Sequence, residues 1–362
     1  MGAGQPSMVD KKIAVLGAGA NGASIGADLT NAGLDVVLVE QWPEHVQAMR
    51  SNGVRIEMPD ETLQIPVRAY NLCDVATFTE RFDVVLVLMK AYDTRWACQL
   101  IEPHLKPDGL IVGVQNGMTT DTVAEVAGPA RTIGCVIEVS SMMFEPGVVE
   151  RHSPPSRSWF AVGSIDPATA GREVEIAELL ALSGAVEIVD DIRAAKWMKL
   201  VSNATTLVST AILGLPMLES AAVPGMRDLM LSAGQEALDA GLEIGHPALP
   251  IFGLTPEDMG QSDRIVELLL DTLYAGFVLP QTTTTILHDW IKGRHSEVDD
   301  INGVVVAERT SRGRAAPVNS AIVEVAHRIE RGELKPDPAN LALLYELLPA
   351  TVAPAPHAAT TR

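Results

Sequence analysis

Gly17, Gly19 and Gly22 stand in the spacing G-x-G-x-x-G directly after the apolar run IAVL, and the stretch that follows, NGASIGADLTNAG, has the texture of a helix. Between a strand and a helix such glycines have separate roles. Gly17 permits the tight turn, Gly19 lets a pyrophosphate approach the main chain, and Gly22 lets the helix pack close on the strand. The first residues of that helix, Ala20 and Asn21 among them, then face the phosphates at the positive end of the helix dipole. The next apolar run, VVLVE, ends in Glu40, eighteen positions after Gly22. A carboxylate there accepts hydrogen bonds from the adenosine ribose hydroxyls; a solvated glutamate at a strand end is the plainer alternative. With the ribose so held, a 2′-phosphate lies about 5 Å from Glu40, a repulsion of roughly 3 kcal/mol per unit charge at an effective dielectric of about 20. The expected dinucleotide is therefore NAD, with NADP disfavoured.

The elements that position these residues follow from periodicity. Apolar runs at Ile13 to Leu16, Val36 to Val39, Val84 to Met89 and Leu110 to Val114 alternate with helical stretches, the pattern of a parallel sheet covered by helices. After Thr132 the shorter runs IGCVIEV, GVVERH and SWFAVG read as further strands closing this domain. From about Ala194 helical periodicity takes over and strand signals almost vanish. The expected architecture is an N-terminal Rossmann-type doubly wound α/β sheet over 11–190, then an all-helical substrate and dimerisation domain over 191–347. Residues 1–10 and the Pro/Ala-rich stretch 348–362 are expected to be disordered tails. A length of 362 residues agrees with two cores rather than one.

Composition narrows the partners. A formal net charge of -19 repels polyphosphate backbones and anionic lipid surfaces, so nucleic acid and membrane are discounted while one small anion pocket remains compatible. Cys73, Cys98 and Cys135 lack any C-x-x-C spacing, which suggests neither a disulfide framework nor a zinc cluster and fits a reducing cytoplasm. The opening MGAGQPSMVD has no basic start followed by an apolar core. Leu200 to Leu218 contains no charged residue, yet Ser202, Asn203, Thr205, Thr206, Ser209 and Thr210 within it favour a buried helix over a membrane span.

Four more segments join the glycine loop in one order along the chain. These are LMKAYDT with Lys90, VQNGM with Asn116, KWMKLVSNA with Lys199, and GRHSEVDDINGVVV with Glu297 followed by APVN. Together they make the sequence resemble the ketopantoate reductase (2-dehydropantoate 2-reductase) family from Ile13 to about Arg331. The resemblance implies a Rossmann domain followed by a helical one, an active site in the cleft between them, and hydride transfer between a nicotinamide and a 2-oxo or 2-hydroxy acid. By the same resemblance Lys199 is the proton donor to the developing alkoxide and Glu297 belongs to its polar site. Asn203 contacts substrate, Lys90 lies beside the cofactor and reacting centre, and Thr285 matches a serine that binds the substrate carboxylate.

The residue chemistry agrees with several of these roles. A carbonyl that takes hydride accumulates negative charge on oxygen, and an ammonium can stabilise that charge and deliver the proton. A carboxylate such as Glu297 would hold the ammonium charged and oriented, and Asn203 follows Lys199 by one helical turn. Lys90 is expected at the carboxyl edge of the sheet, where ligands of open α/β folds bind. Asn116, in the loop after LIVGV, can fix the nicotinamide ribose or carboxamide, and a plain Asn-Gly turn is the alternative. For Lys199, Asn203, Lys90 and Thr285 the alternatives are a surface lysine, a satisfied buried asparagine, a solvated strand-end lysine and one member of a TTTT run.

The sequence also departs from the family pattern. Glu40 and Gln41 occupy the edge where the family commonly carries an arginine for a 2′-phosphate, which again argues for NAD. Leu207 replaces a substrate-binding asparagine one turn after Asn203, which points to a hydroxy acid bulkier or more apolar than pantoate, and use of NAD, mostly oxidised in cells, points to a dehydrogenase running toward oxidation. The segment 243–277 looks longer than the usual connection and is expected to form a lid or a dimer surface in a homodimer. His288, Asp289 and His295 fall in one predicted helical region but lack a third metal ligand at ordinary spacing, so no metal is expected. The competing functions are another two-domain dehydrogenase, of opine or 3-hydroxy-acid type, and a catalytically silent dinucleotide-binding protein.

Overall fold

The computed structural model describes residues 10–260 and 264–350. The expected tails fall almost wholly outside the described residues. In chain order the first part comprises β1 (Lys12–Leu16), α1 (Ala20–Asn31), β2 (Asp35–Glu40), α2 (Pro43–Asn52), β3 (Val54–Glu57), β4 (Thr62–Ile65), β5 (Arg68–Asn71), β6 (Phe82–Val87), α3 (Thr94–Ile101), β7 (Leu105–Val114) and α4 (Thr120–Ala127). It continues with β8 (Thr132–Glu138), β9 (Ser141–Glu145), β10 (Val148–Arg151), β11 (Trp159–Ser164), α5 (Glu173–Leu180) and β12 (Ala185–Ile188). Helices follow: α6 (Ile192–Leu213), α7 (Met217–Ala222), α8 (Met226–Glu243), α9 (Pro256–Met259), α10 (Ile265–Gly276), α11 (Thr285–Ile291), α12 (Val304–Ser311), α13 (Pro317–Glu330) and α14 (Asn340–Leu347). Among the described residues no strand follows β12, as the change of texture near Ala194 implies.

The chain forms two compact units that divide inside α6, between Lys199 and Leu200. The first unit also takes in Leu249–Pro256 and Ala275–Val278, two pieces flanked in sequence by the second.

In the first unit, the order β12-β11-β8-β7-β6-β1-β2-β5 makes one sheet, parallel except where β11 runs against β8. Alternation along the strands fills both faces: Ile13 and Val15 of β1 join one apolar core, Ala14 and Leu16 the other. β1 is flanked by β2 on one side and β6 on the other, the switch point at which open α/β sheets bind their ligands. The short runs after Thr132 do not all close this sheet. β8 and β11 join it, whereas β10 pairs parallel with β3 and antiparallel with β9 in a separate four-stranded sheet, β4-β3-β10-β9. The hairpin turn at Gly147, with φ +81, leads β9 back into β10, and β3 offers the free edge on which β10 pairs.

In the second unit, four hydroxyls of the charge-free run are satisfied within α6. Thr205, Thr206, Ser209 and Thr210 donate to the carbonyls of Val201, Ser202, Thr205 and Thr206 at 2.7–2.9 Å. That bonding lets a polar sequence lie buried, and no described helix is long and apolar enough to cross a membrane. Gly234 of α8 lies so close to α6 that a Cβ there would come within 2.2 Å of Thr205 Oγ1.

Candidate functional site

At the switch point the glycine loop is held by packing on its underside and open above. Gly17 has φ +96, and a Cβ on it would lie 2.7 Å from the backbone of Leu88 and Met89, where the loop after β6 crosses. A Cβ on Gly22 would stand 2.0 Å from Gly17 O, so α1 could not start where it does. Gly19 has nothing within 4 Å of the same position. The first and third glycines are thus explained by the protein alone, and the second leaves an open backbone, which is the fit a pyrophosphate requires. The N–H groups of Gly17 and Ala18 donate to Val39 O, fixing the loop to β2.

Two residues that sequence reasoning missed clasp this loop, His45 from α2 and Ser141 from the second sheet. Buried His45 donates from Nε2 to Ala18 O at 3.0 Å and accepts from Gly147 N–H at Nδ1, 2.8 Å away. Those two bonds require the neutral ring with its proton on Nε2, and burial lowers its pKa in the same direction, against the opposing Ala18 carbonyl. Ser141 of β9 donates to Asn21 Oδ1. Glu40 ends β2 as expected, 7% exposed, and its Oε1 accepts the N–H groups of Gln41 and Trp42 at 2.9 and 3.0 Å. The carboxylate is therefore fixed in direction at the carboxyl edge.

The other nominated residues of this unit lie along the same edge. β6 ends at Val87, so half-buried Lys90 does not end the strand but caps the 3-10 turn Ala91–Asp93 three residues later. The peptide turns away once the strand loses its parallel neighbours, and Gln115 secures this turn by donating to Met89 O at 2.6 Å and Thr94 Oγ1 at 3.0 Å. Asn116 is half-buried in the turn after β7, next to Gly117 with φ +73.

Lys199 is 7% exposed on α6. Its Nζ forms an ion pair with Glu138, the last residue of β8, and lies 5.1 Å from the centroid of the Phe252 ring. The sequence nominated Glu297 as a carboxylate for this ammonium; Glu138, which it did not nominate, pairs with it. One turn earlier, Lys196 is 3% exposed and donates to the carbonyls of Gln115 and Cys135 at 3.0 Å each, joining the end of β7 to the middle of β8. Burial, with the Lys199 charge adding to it and Cys135 opposing, pushes the Lys196 ammonium down to about 8. Cys98 and Cys135 are free, and burial pushes both thiols up to about 12.

The second unit carries Asn203, Leu207, Thr285 and Glu297. Asn203 is buried and Leu207 half-buried on α6. Half-buried Thr285 opens α11, whose N-cap is Thr284, its hydroxyl accepting from Leu287 N–H. Glu297 is 4% exposed, and its neighbour Ser296 is anchored on Glu330 of α13 through both N–H and hydroxyl. Two motif residues that sequence reasoning left without a role hold this region together. Asn302 donates to Ala204 O and Asn319 Oδ1, and Asn319 donates to Ala233 O and Glu236. Asp300, beside Glu297, is pushed up to about 6 by burial and by the charges of Glu297 and Asp299.

The two histidines do not share a helix face. His288 lies in α11 and contacts Thr283 Oγ1, whereas His295 lies past Gly293 and approaches Glu330 at 3.7 Å. Gly293, with φ +63, breaks the helix that the periodicity suggested. Among the described residues no group of three potential ligands could hold a metal ion.

Comparisons with known proteins agree with this arrangement. The model of the family described as ketopantoate reductase PanE/ApbA matches residues 13–164, and the model of its C-terminal domain matches 191–330. The 2-dehydropantoate 2-reductase of Pyrococcus horikoshii is 27% identical over 85% of this chain and 94% of its own length. That of Mesorhizobium japonicum is 26% identical over 89% and 99%. A ketopantoate reductase of this family from Ralstonia eutropha superposes with a TM-score of 0.74 at 26% identity, covering 89% of this chain and 99% of that one. A D-mandelate dehydrogenase solved with NADH and anilino(oxo)acetate reaches 0.78 at 19% identity over the same shares, a likeness of fold. With family models matched over 13–164 and 191–330, the chain belongs to the ketopantoate reductase family.

Proposed function

We propose that this member of the family transfers hydride between NAD(H) and a 2-oxo or 2-hydroxy acid more apolar than pantoate, with Lys199 as the proton carrier. That it is a nicotinamide-dependent oxidoreductase of 2-oxo and 2-hydroxy acids follows from its family. The observation that carries the finer reading is the Lys199 ammonium, buried at the carboxyl edge and paired with Glu138. A nicotinamide supplies or accepts the hydride when bound, and the protein supplies everything else. The open main chain at Gly19, with Gly17, Ala20, Asn21 and Gly22, receives the pyrophosphate, and fixed Glu40 accepts from the adenosine ribose. Lys90 and Asn116 are assigned to the nicotinamide end.

In reduction Lys199 gives a proton to the oxygen that becomes negative, and in oxidation its neutral amine takes that proton from the alcohol. Asn203 and Thr285 are assigned to the polar groups of the acid, Glu297 to the proton-carrying site, and Leu207 to contact with an apolar substituent. The NADH complex of a D-mandelate dehydrogenase of like fold supports both the cofactor and the class of substrate. A cytoplasmic homodimer completes the reading, in keeping with three free cysteines.

Replacing Lys199 by Ala tests the assignment. Turnover of the best acid in a panel of 2-oxo and 2-hydroxy acids is expected to fall by roughly 10²–10⁴ while NAD affinity is kept. Unchanged turnover would remove the proton carrier.

A further inference from the structure

Phe252 is set apart by its backbone. With φ +61 it is the one residue other than glycine at positive φ among the described residues, in a region costly for a bulky side chain. It belongs to Leu249–Pro256, which leaves the second unit's sequence to pack in the first. Its ring meets Trp159 edge-on at 5.5 Å and Phe277 at 5.5 Å. Trp159 is the register partner of Glu138 across β8 and β11, and Arg157 donates to Gly276 O beside Phe277. The segment whose length the sequence analysis noted thus delivers one ring to the neighbourhood of one carboxylate, and both meet Lys199.

We propose that Phe252 is a positioning residue for Lys199, holding its ammonium against Glu138 through the face of its ring. The assignment rests on the reading of Lys199 as proton carrier. An ammonium has three N–H groups. A carboxylate engages one side of it, and a ring face attracts the charge electrostatically without offering a lone pair to take the proton. Of the two groups, only Glu138 is basic, so the ring steadies the cation and leaves an N–H for the substrate oxygen. A second carboxylate in its place would compete for the proton. The strained backbone is then the cost of aiming the ring from a segment remote in sequence.

The test changes the ring's electrostatics while keeping its shape. Phenylalanine at position 252 is replaced by its 4-fluoro, 3,4,5-trifluoro and pentafluoro analogues, with Phe252→Tyr and Phe252→Leu alongside. The readouts are kcat and KM for the best 2-oxo acid, NADH affinity and thermal unfolding. The expected result is a stepwise fall in kcat along the fluorinated series, reaching about five- to thirty-fold, at constant NADH affinity and unfolding temperature. Phe252→Tyr keeps most activity, and Phe252→Leu loses about as much as the most fluorinated ring. A kcat constant along the fluorinated series overturns the proposal even if Phe252→Leu is impaired, because that pattern marks a packing role. A wild-type protein that binds NADH but turns over no 2-oxo or 2-hydroxy acid would instead sink the reading of Lys199, and the role of Phe252 with it.

Discussion

The glycine loop and the Lys199 cluster lie on the same edge of one sheet and are built in opposite ways. The loop is contiguous: residues 17–22 and Glu40 come from one β-α-β stretch, and its chemistry is done by backbone. The cluster draws Glu138 from β8, Trp159 from β11, Lys196 and Lys199 from α6, and Phe252 from a remote segment, and its chemistry is done by side chains. A contiguous backbone site is fixed by what cannot fit in it. A dispersed side-chain site is fixed by what holds its charges, and it carries a cost in buried charge that the loop does not.

The sharpest way to break this contrast is within the loop. Gly22→Ala places a Cβ 2.0 Å from Gly17 O, a backbone atom that cannot step aside, and is expected to cost more than about 4 kcal/mol or to abolish folding. Gly19→Ala meets nothing within 4 Å at an N-cap with ordinary φ of -65, so its unfolding midpoint in urea should stay within about 0.5 kcal/mol of wild type. NAD affinity should nonetheless fall at least tenfold, because the added methyl occupies the open face. Equal unfolding midpoints for the two variants would show that the loop is not fixed by exclusion.

The same contrast explains what could be read from sequence. β1, β2 and α1 were legible because strand, turn and helix signals sit side by side, and the charge-free part of α6 because most of its polar residues are hydroxyls that a helix can satisfy internally. β3 and β4, reading VRIE and TLQI, alternate over only four residues each, too few to stand out, so the second sheet and the clasp by His45 and Ser141 were hidden. Glu138 had a usable signal: it ends an apolar run at the same strand edge as Lys90 and Asn116, where the rule for open sheets already looks for ligands. Phe252 had none, since nothing in ALPIFGLTP marks a return to the first unit. Lys196 carried no signal of its own, because sequence does not distinguish a buried lysine from an exposed one.

Lys196 measures the cost of the dispersed site. Its ammonium is held to about 8 against an ordinary 10.5, so below pH 8 both folded and unfolded chains are charged and the fold bears the whole penalty, about 3 kcal/mol. As pH rises from 8 to 10.5 the folded protein binds fewer protons than the unfolded one, and stability rises by that amount. Urea unfolding of wild type and Lys196→Met at pH 7, 9 and 10 isolates the effect, since other groups cancel in the difference. The wild type is expected to gain on the variant across this range, and a flat difference would show that the charge is not buried at a cost.

The smallest expected effect returns to the loop, at the one point where it uses a side-chain charge. Glu40 Oε1 accepts the N–H groups of Gln41 and Trp42, so Glu40→Gln keeps an acceptor in place and removes only the charge. Those two N–H groups already offset part of the negative potential, so the discrimination lost should be below the bare Coulomb value, about tenfold or ~1.4 kcal/mol in the ratio of kcat/KM for NAD over NADP. Because the hydrogen bonds survive, thermal unfolding should not move, which separates charge from packing. If the ratio stays where it was, the charge of Glu40 does not discriminate between the two cofactors, and the loop is a purely steric site after all.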